Sequence, residues 1–209
     1  MKHSLLSCWL LLLAMDAPAH RLDEYLQATR IAVATNRIDL SIDLTPGVAI
    51  ADQWLPLLDP NRDGRFSDEE CDVYSQRVLK DLAIKLDEKN LTLRLVSRAF
   101  PTLDEIRSGV GVIRIKATAS VEPLGQGKHV LSLINRHLPA IGVYLVNALV
   151  PKDPGVQIAK QTRDELQKNY RLEFEVLCLC GKRAPGTGPG GSPPRRDGRA
   201  CGPPPRGNA

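Results

Sequence analysis

From position 59 the chain reads Asp59-Pro60-Asn61-Arg62-Asp63-Gly64-Arg65-Phe66-Ser67-Asp68-Glu69-Glu70, a twelve-residue stretch with oxygen-bearing side chains at its first, third, fifth, ninth and twelfth places. A hard divalent cation such as calcium wants about seven oxygen ligands at about 2.3–2.6 Å, so a loop that binds one must aim short oxygen-bearing side chains inward at alternate positions. Asp59, Asn61 and Asp63 have that spacing. Arg65 would offer its carbonyl, Ser67 would act directly or through water, and Glu70 would close the shell with both carboxylate oxygens. Gly64 at the sixth place permits the sharp backbone turn, and apolar Phe66 at the eighth suits packing or a short pairing between loops. The expected cofactor is a calcium ion.

This is the EF-hand loop pattern, matched at each side-chain position and at the glycine. No second such loop is visible: Asp87-Glu88-Lys89-Asn90 has the wrong spacing and places a lysine where an oxygen is required. Arg62 and Arg65 lie inside the loop and Pro60 stiffens its start. A lone loop of this kind is expected to bind weakly, at roughly 10⁻⁵ to 10⁻³ M, which suits a structural staple better than a signal.

Nitrogen ligands supply a second candidate metal site. If export leaves His20 as the first residue, its amino group and imidazole could chelate copper or nickel together, with His129 or His137 as a third ligand. Scattered histidines are more often surface or hydrogen-bonded residues, and spacing alone fixes no geometry. Enzymatic chemistry is not expected, and no catalytic residue is assigned. The pairs Asp104-Glu105 and Asp164-Glu165 are adjacent residues that point apart, no glycine-framed nucleophile turn is present, and no phosphate-binding glycine loop precedes a helix.

The elements that must position the loop can be read from periodicity. Ile31 and Val33, then Ile38, Leu40, Ile42 and Leu44, alternate with polar residues, predicting two antiparallel strands that turn near Thr35-Asn36. Pro46-Gly47 stops the second strand. Residues 48–58 read as a short apolar helix loosened by Pro56. Residues 68–86 carry apolar side chains at helical spacing, with acids first and Lys80 and Lys85 late, as a helix dipole favours. Strand patterns return at 91–96, 110–121, 129–134, 141–150, 156–162 and 170–177, separated by turns such as Glu122-Pro123-Leu124-Gly125. About eight strands so spaced predict a mainly β fold: an antiparallel β-sandwich over residues 20–177, with an inserted helix-loop-helix at about 47–86.

The two ends differ from this body. A short basic start, an apolar run from Leu5 to Met15 and then Ala17-Pro18-Ala19 form the layout of a secretory signal peptide over residues 1–19. The run is too short to cross a bilayer, which takes about 20 residues, so no transmembrane segment is expected in the mature chain. A periplasmic or secreted location follows. Residues 178–209 are rich in Gly, Pro and Arg and are expected to be disordered. They also carry a net +5, whereas residues 20–177 sum to −1, so the chain's +4 gives no electrostatic footprint for nucleic acid on the body. Export would permit disulfides, yet Cys71 on the second helix is expected to be a buried thiol, and a Cys178–Cys180 bridge would be strained.

Four separated segments carry a family resemblance: His20-Arg21-Leu22-Asp23-Glu24-Tyr25-Leu26-Gln27-Ala28, Asp43-Leu44-Thr45-Pro46-Gly47-Val48, the acidic loop, and Asn135-Arg136-His137-Leu138-Pro139-Ala140-Ile141-Gly142-Val143-Tyr144. Over residues 20–177 the chain resembles the exported N-terminal domain of HupE/UreJ-type membrane proteins, which are associated with nickel or cobalt permeases. The resemblance implies a periplasmic domain ahead of a multi-helix membrane domain. Here the Gly/Pro/Arg-rich stretch stands where membrane helices would follow. Besides the calcium ion, an envelope or membrane protein is the expected kind of partner. Two alternative roles are a calcium-stiffened adhesion or scaffold module and a transition-metal acceptor that uses His20.

Overall fold

The computed structural model describes residues 23–178. The expected export signal, His20 and the basic stretch from residue 179 onward lie outside the described residues. Strand β1 (Tyr25–Ala34) and strand β2 (Arg37–Pro46) pair antiparallel around the Thr35-Asn36 turn. Their inward phase is fully regular, from Tyr25 to Val33 on β1 and from Ile38 to Pro46 on β2, because alternate side chains of a strand face opposite sides.

A broken helical segment follows: a 3₁₀ turn at Val48–Ile50, helix α1 (Ala51–Trp54) and a second 3₁₀ turn at Leu55–Leu57. Pro56 sits in that second turn, where it has no N–H to give to a longer helix. Helix α2 (Asp68–Lys80) starts on a reciprocal Ser67–Glu70 capping box and stops at Asp81. The expected helix over 68–86 is therefore too long. Leu82, Ile84 and Leu86 instead form the buried phase of strand β3 (Leu82–Leu86), which pairs with a strand fifty residues on. Leu79, Leu82, Ala83 and Leu86 satisfy helical spacing as well, and long-range pairing decides between the two periods.

Strands β4 (Lys89–Asn90) and β5 (Arg94–Ala99), helix α3 (Leu103–Arg107), and strands β6 (Ile113–Ser120), β7 (Gly127–Asn135), β8 (Gly142–Ala148), β9 (Val156–Arg163) and β10 (Asn169–Val176) complete the order. One five-stranded sheet runs β5-β6-β2-β1-β8 and the other β4-β3-β7-β10-β9. Both contribute to one buried cluster, for instance Ile31, Leu40 and Ile115 from the first and Ile84, Leu133 and Leu172 from the second. The fold is thus mainly β with two sheets rich in antiparallel pairs. The all-antiparallel expectation fails at one place: β8 runs parallel to β1, with Tyr25 opposite Gly142 and Ile31 opposite Ala148. A long crossover separates these two strands, and that leaves the chain free to return in the same direction.

The edge strand β8 does not end in open amides. Across from it, Gln161 Oε1 accepts from Ala148 N at 3.1 Å and Arg163 Nε donates to Val146 O at 2.8 Å. Side chains of β9, in the opposite sheet, thereby occupy backbone groups that would otherwise be unpaired.

Polar side chains are also buried at the end of the sandwich nearest α2. Tyr25 Oη shares a 2.6 Å hydrogen bond with Tyr74 Oη, which in turn lies 3.2 Å from His137 Nε2. His137 Nδ1 is 2.8 Å from Asp81 Oδ2. A carboxylate only accepts, so the neutral ring carries its proton on Nδ1 and accepts at Nε2. The His137 carbonyl receives Gln27 Nε2 at 2.8 Å and Tyr144 Oη at 2.9 Å, while Asn135 bonds both Gln27 and the His137 amide. Gly142 is needed beside this cluster, since a Cβ there would lie 2.7 Å from Tyr144 Oη and 2.8 Å from Gln27 Nε2. The neighbouring Leu138 adopts a left-handed φ of 47°, held by its carbonyl, which accepts from Gly142 N at 2.8 Å.

Tyr74→Phe removes the hydroxyl shared by Tyr25 and His137 and leaves both buried groups short of a partner. We expect a loss of about 1–3 kcal/mol in unfolding free energy at constant volume of side chain. Urea unfolding checks this, and a change within error of zero would show that the cluster does not support the fold.

Candidate functional site

Asp59 enters the loop directly from the helical segment: its amide still donates to Leu55 O at 2.8 Å. That attachment places its side chain inside the protein, at 4% exposure. Oδ2 accepts from Gly64 N at 3.0 Å, so the first residue of the loop is tied to the sixth. Oδ1 is buried and has no hydrogen-bond partner. A buried carboxylate oxygen without a donor is costly, and a cation is the kind of group that would offset the cost.

The rest of the loop is wound by its own side chains. Asn61 Oδ1 accepts from Asp63 N at 2.9 Å, and Asp63 Oδ1 accepts from Arg65 N at 2.8 Å. These are successive Asx turns, a conformation that short polar side chains stabilise locally. The backbone turns left-handed at Arg62 (φ 61°) and Gly64 (φ 75°). Gly64 has little lateral room as well, for a Cβ there would come 3.3 Å from Leu103 Cδ2 on α3. Phe66 leaves the loop inward and packs against the buried cluster.

Ser67 closes the loop as the N-cap of α2. Its amide and hydroxyl donate to Glu70 Oε2 at 2.9 and 2.7 Å, and its Oγ accepts from Glu70 N at 3.2 Å. Asp68, Glu69 and Glu70 crowd the first turn, where the helix dipole favours negative charge. Loop position one is therefore tied to six through Asp59 and Gly64, and, separately, three to five and five to seven through Asn61, Asp63 and Arg65. Glu70 is engaged with Ser67. The Arg65 side chain is exposed, which suits a contribution through its carbonyl. Among the described residues, no three His, Cys, Asp or Glu side chains stand together as a group able to hold a metal ion as they lie.

α2 is fixed from two sides. Arg98 on β5 pairs with Asp72, donates to the Asp68 carbonyl at 2.8 Å and reaches Asp68 Oδ1 at 3.1 Å. This hydrogen bond holds the exposed Asp72 carboxyl below its ordinary range. On the opposite side, Tyr74 and Asp81 join the buried polar cluster. Cys71 is buried as a free thiol, and burial pushes its pKa up. Sequence reasoning did not single out Arg98, Asp81, Gln27 or Asn135. Gln27 and Asn135 left a signal, as polar residues in the inward phases of β1 and β7.

The histidines are not brought together. His129 near the start of β7 has Nδ1 at 2.7 Å from Asp87 Oδ2 and Nε2 at 2.8 Å from Gly125 O. His137 is fully buried beyond the other end of that strand. At about 3.3 Å rise per residue, the strand between them holds the two rings too far apart to share an ion. His20 lies outside the described residues.

The two rings titrate in opposite senses. Burial lowers His137 below the ordinary value of 6.5, outweighing Asp81. In His129 burial also lowers the pKa, but the bonds to Asp87 and Gly125 outweigh it and the net shift is upward. For His137 the unfolded chain takes the proton first, so its contribution is present above the ordinary histidine value and is lost as pH falls below it. For His129 the contribution is present below that value and is lost as pH rises through the folded pKa. Below pH 6.5 stability should therefore fall less steeply toward acid for His137→Gln than for wild type, and above pH 6.5 His129→Gln should lack the part of the wild-type stability loss on raising pH that comes from His129. Parallel curves for all three proteins would contradict the assignment.

No helix among the described residues is long and apolar enough to cross a membrane. Compared with protein-family models and with curated proteins, the chain finds no match in either.

Proposed function

We propose that the chain is an exported calcium-binding domain in which Asp59, Asn61, Asp63, Arg65, Ser67 and Glu70 surround a structural calcium ion, in a helix-loop-helix of the EF-hand type inserted into the β fold. The observation that carries this reading is Asp59: one carboxylate oxygen is tied to Gly64 N while the other is buried without a partner. A solvated acidic turn would leave both oxygens in water. The left-handed turns at Arg62 and Gly64, and the two Asx turns, support the same reading by bringing the loop close to a binding shape before any ion arrives. When bound, the ion would supply the positive charge that Asp59 Oδ1 lacks.

A structural role fits better than a signalling one. A sensor of this type swings its second helix on binding, whereas here α2 is held by Arg98 on one face and by Tyr25, His137 and Asp81 through the other. Glu70 is the ligand that must turn, giving up its bonds from Ser67. Exchange of those bonds for calcium, with Arg62 and Arg65 nearby, keeps affinity at the weak, extracellular end of the range, roughly 10⁻⁵ to 10⁻³ M. Within this reading the chain is the soluble periplasmic part of a metal-permease-like protein, the role implied by its resemblance to HupE/UreJ-type proteins.

Glu70→Gln should abolish calcium binding in isothermal titration of the purified protein and remove the rise in melting temperature that calcium gives wild type. Binding to the native state alone adds RT ln(1 + [L]/Kd), about 2.7 kcal/mol at a hundredfold excess over Kd. A Glu70→Gln protein that melts like calcium-loaded wild type, or wild type that shows no heat with millimolar calcium, would refute the proposal.

A further inference from the structure

Beside the loop lies a cavity of about 490 Å³ between α1, the loop and α3. That is within the range of small-molecule sites, about 300–1,000 Å³. Leu55, Pro56 and Leu103 supply apolar wall, and two arginines, Arg62 and Arg107, line the same space. Their placement follows from local structure. Arg62 occupies the left-handed loop position, and Arg107 lies four residues after Leu103 on α3, hence on the same helical face. Among the described residues neither arginine takes part in an ion pair or side-chain hydrogen bond, in contrast to Arg30, Arg37, Arg98 and Arg163.

Asp52, Asp59 and Asp63 line the cavity too, so its walls carry one more negative than positive side chain. An anion would be repelled from it. A divalent cation held by Asp59 and Asp63 reverses that balance and leaves the two guanidinium groups without competition. A planar guanidinium fork matches a carboxylate in particular, through two parallel N–H donors.

We propose that this cavity is a carboxylate-binding site, lined by Arg62 and Arg107, that becomes competent when calcium fills the neighbouring loop. The inference rests on the calcium reading above. Binding is reciprocal: a carboxylate that prefers the loaded state must tighten calcium by the same factor. The ligand class is a small carboxylic acid with a short hydrocarbon portion for the apolar wall, either free or displayed as an acidic side chain on a peptide.

Calcium titrations of the full chain with and without glutarate, at matched ionic strength and measured free calcium, test this. We expect glutarate to lower the calcium Kd by about threefold to tenfold, on the scale of ordinary site coupling, and to give no binding heat without calcium. In Arg107→Ala the calcium isotherm should persist while the glutarate effect disappears. An acetyl-Leu-Glu-amide arm separates the two sources. Response to glutarate alone assigns a free acid, and response to the peptide as well assigns an acidic side chain. Calcium binding that ignores both carboxylates, or an effect that survives in Arg107→Ala, overturns the carboxylate site while leaving the calcium reading intact. No calcium heat at all overturns the parent reading, and this one with it.

Discussion

The hydrogen-bonded chain Tyr25–Tyr74–His137–Asp81 is the constraint on which the placement of everything near the loop depends. Its members come from β1, from the middle of α2 and its C-cap, and from the connection between β7 and β8, so one chain of donors and acceptors joins both sheets to the inserted helix. Buried polar groups of this kind favour one arrangement over others, because a shift of any element would strand a neighbour in an apolar interior. Trp54 packs into the same region with its ring tilted, 5.3 Å from the Tyr25 ring and 6.1 Å from that of Tyr74. The helical segment before the loop and the helix after it are thus referred to the same aromatic anchor. The loop between them spans two fixed ends, and its remaining freedom is mostly a matter of side chains.

Much of this was legible in the residues. The alternation in β1 and β2 and the stop at Pro46-Gly47 each combine a local pattern with a local cause, and the structure follows them closely. Strand patterns at 129–134 and 170–177 fall within β7 and β10. What local pattern could not decide was the stretch after Lys80. Leu82, Ala83 and Leu86 fit a helix, and only the partner strand β7 makes them an edge-side strand of the second sheet. The parallel pairing of β1 with β8 was hidden for a similar reason, since it depends on where a long crossover returns.

The polar cluster shows a different limit. Tyr25, Gln27 and Thr29 continue the inward phase of Ile31 and Val33 and are buried with them. A polar residue in an inward position is a legible anomaly, but its partners, Asn135 and His137, lie more than a hundred residues away. In the candidate site, the spacing of the oxygen-bearing side chains could be read directly. The burial of Asp59, the clamp from Arg98 and the cavity shared with α3 arise from contacts between distant segments, and no spacing rule contains them.

The bonds from Gln161 and Arg163 to the backbone of β8 bear on how the molecule behaves among its own kind. A bare margin of sheet is a template on which a neighbouring molecule can extend the ladder. Here that margin is already taken up from within, by side chains of the facing layer. A domain crowded against other copies thereby loses one route into fibrous association without giving up the length of the strand.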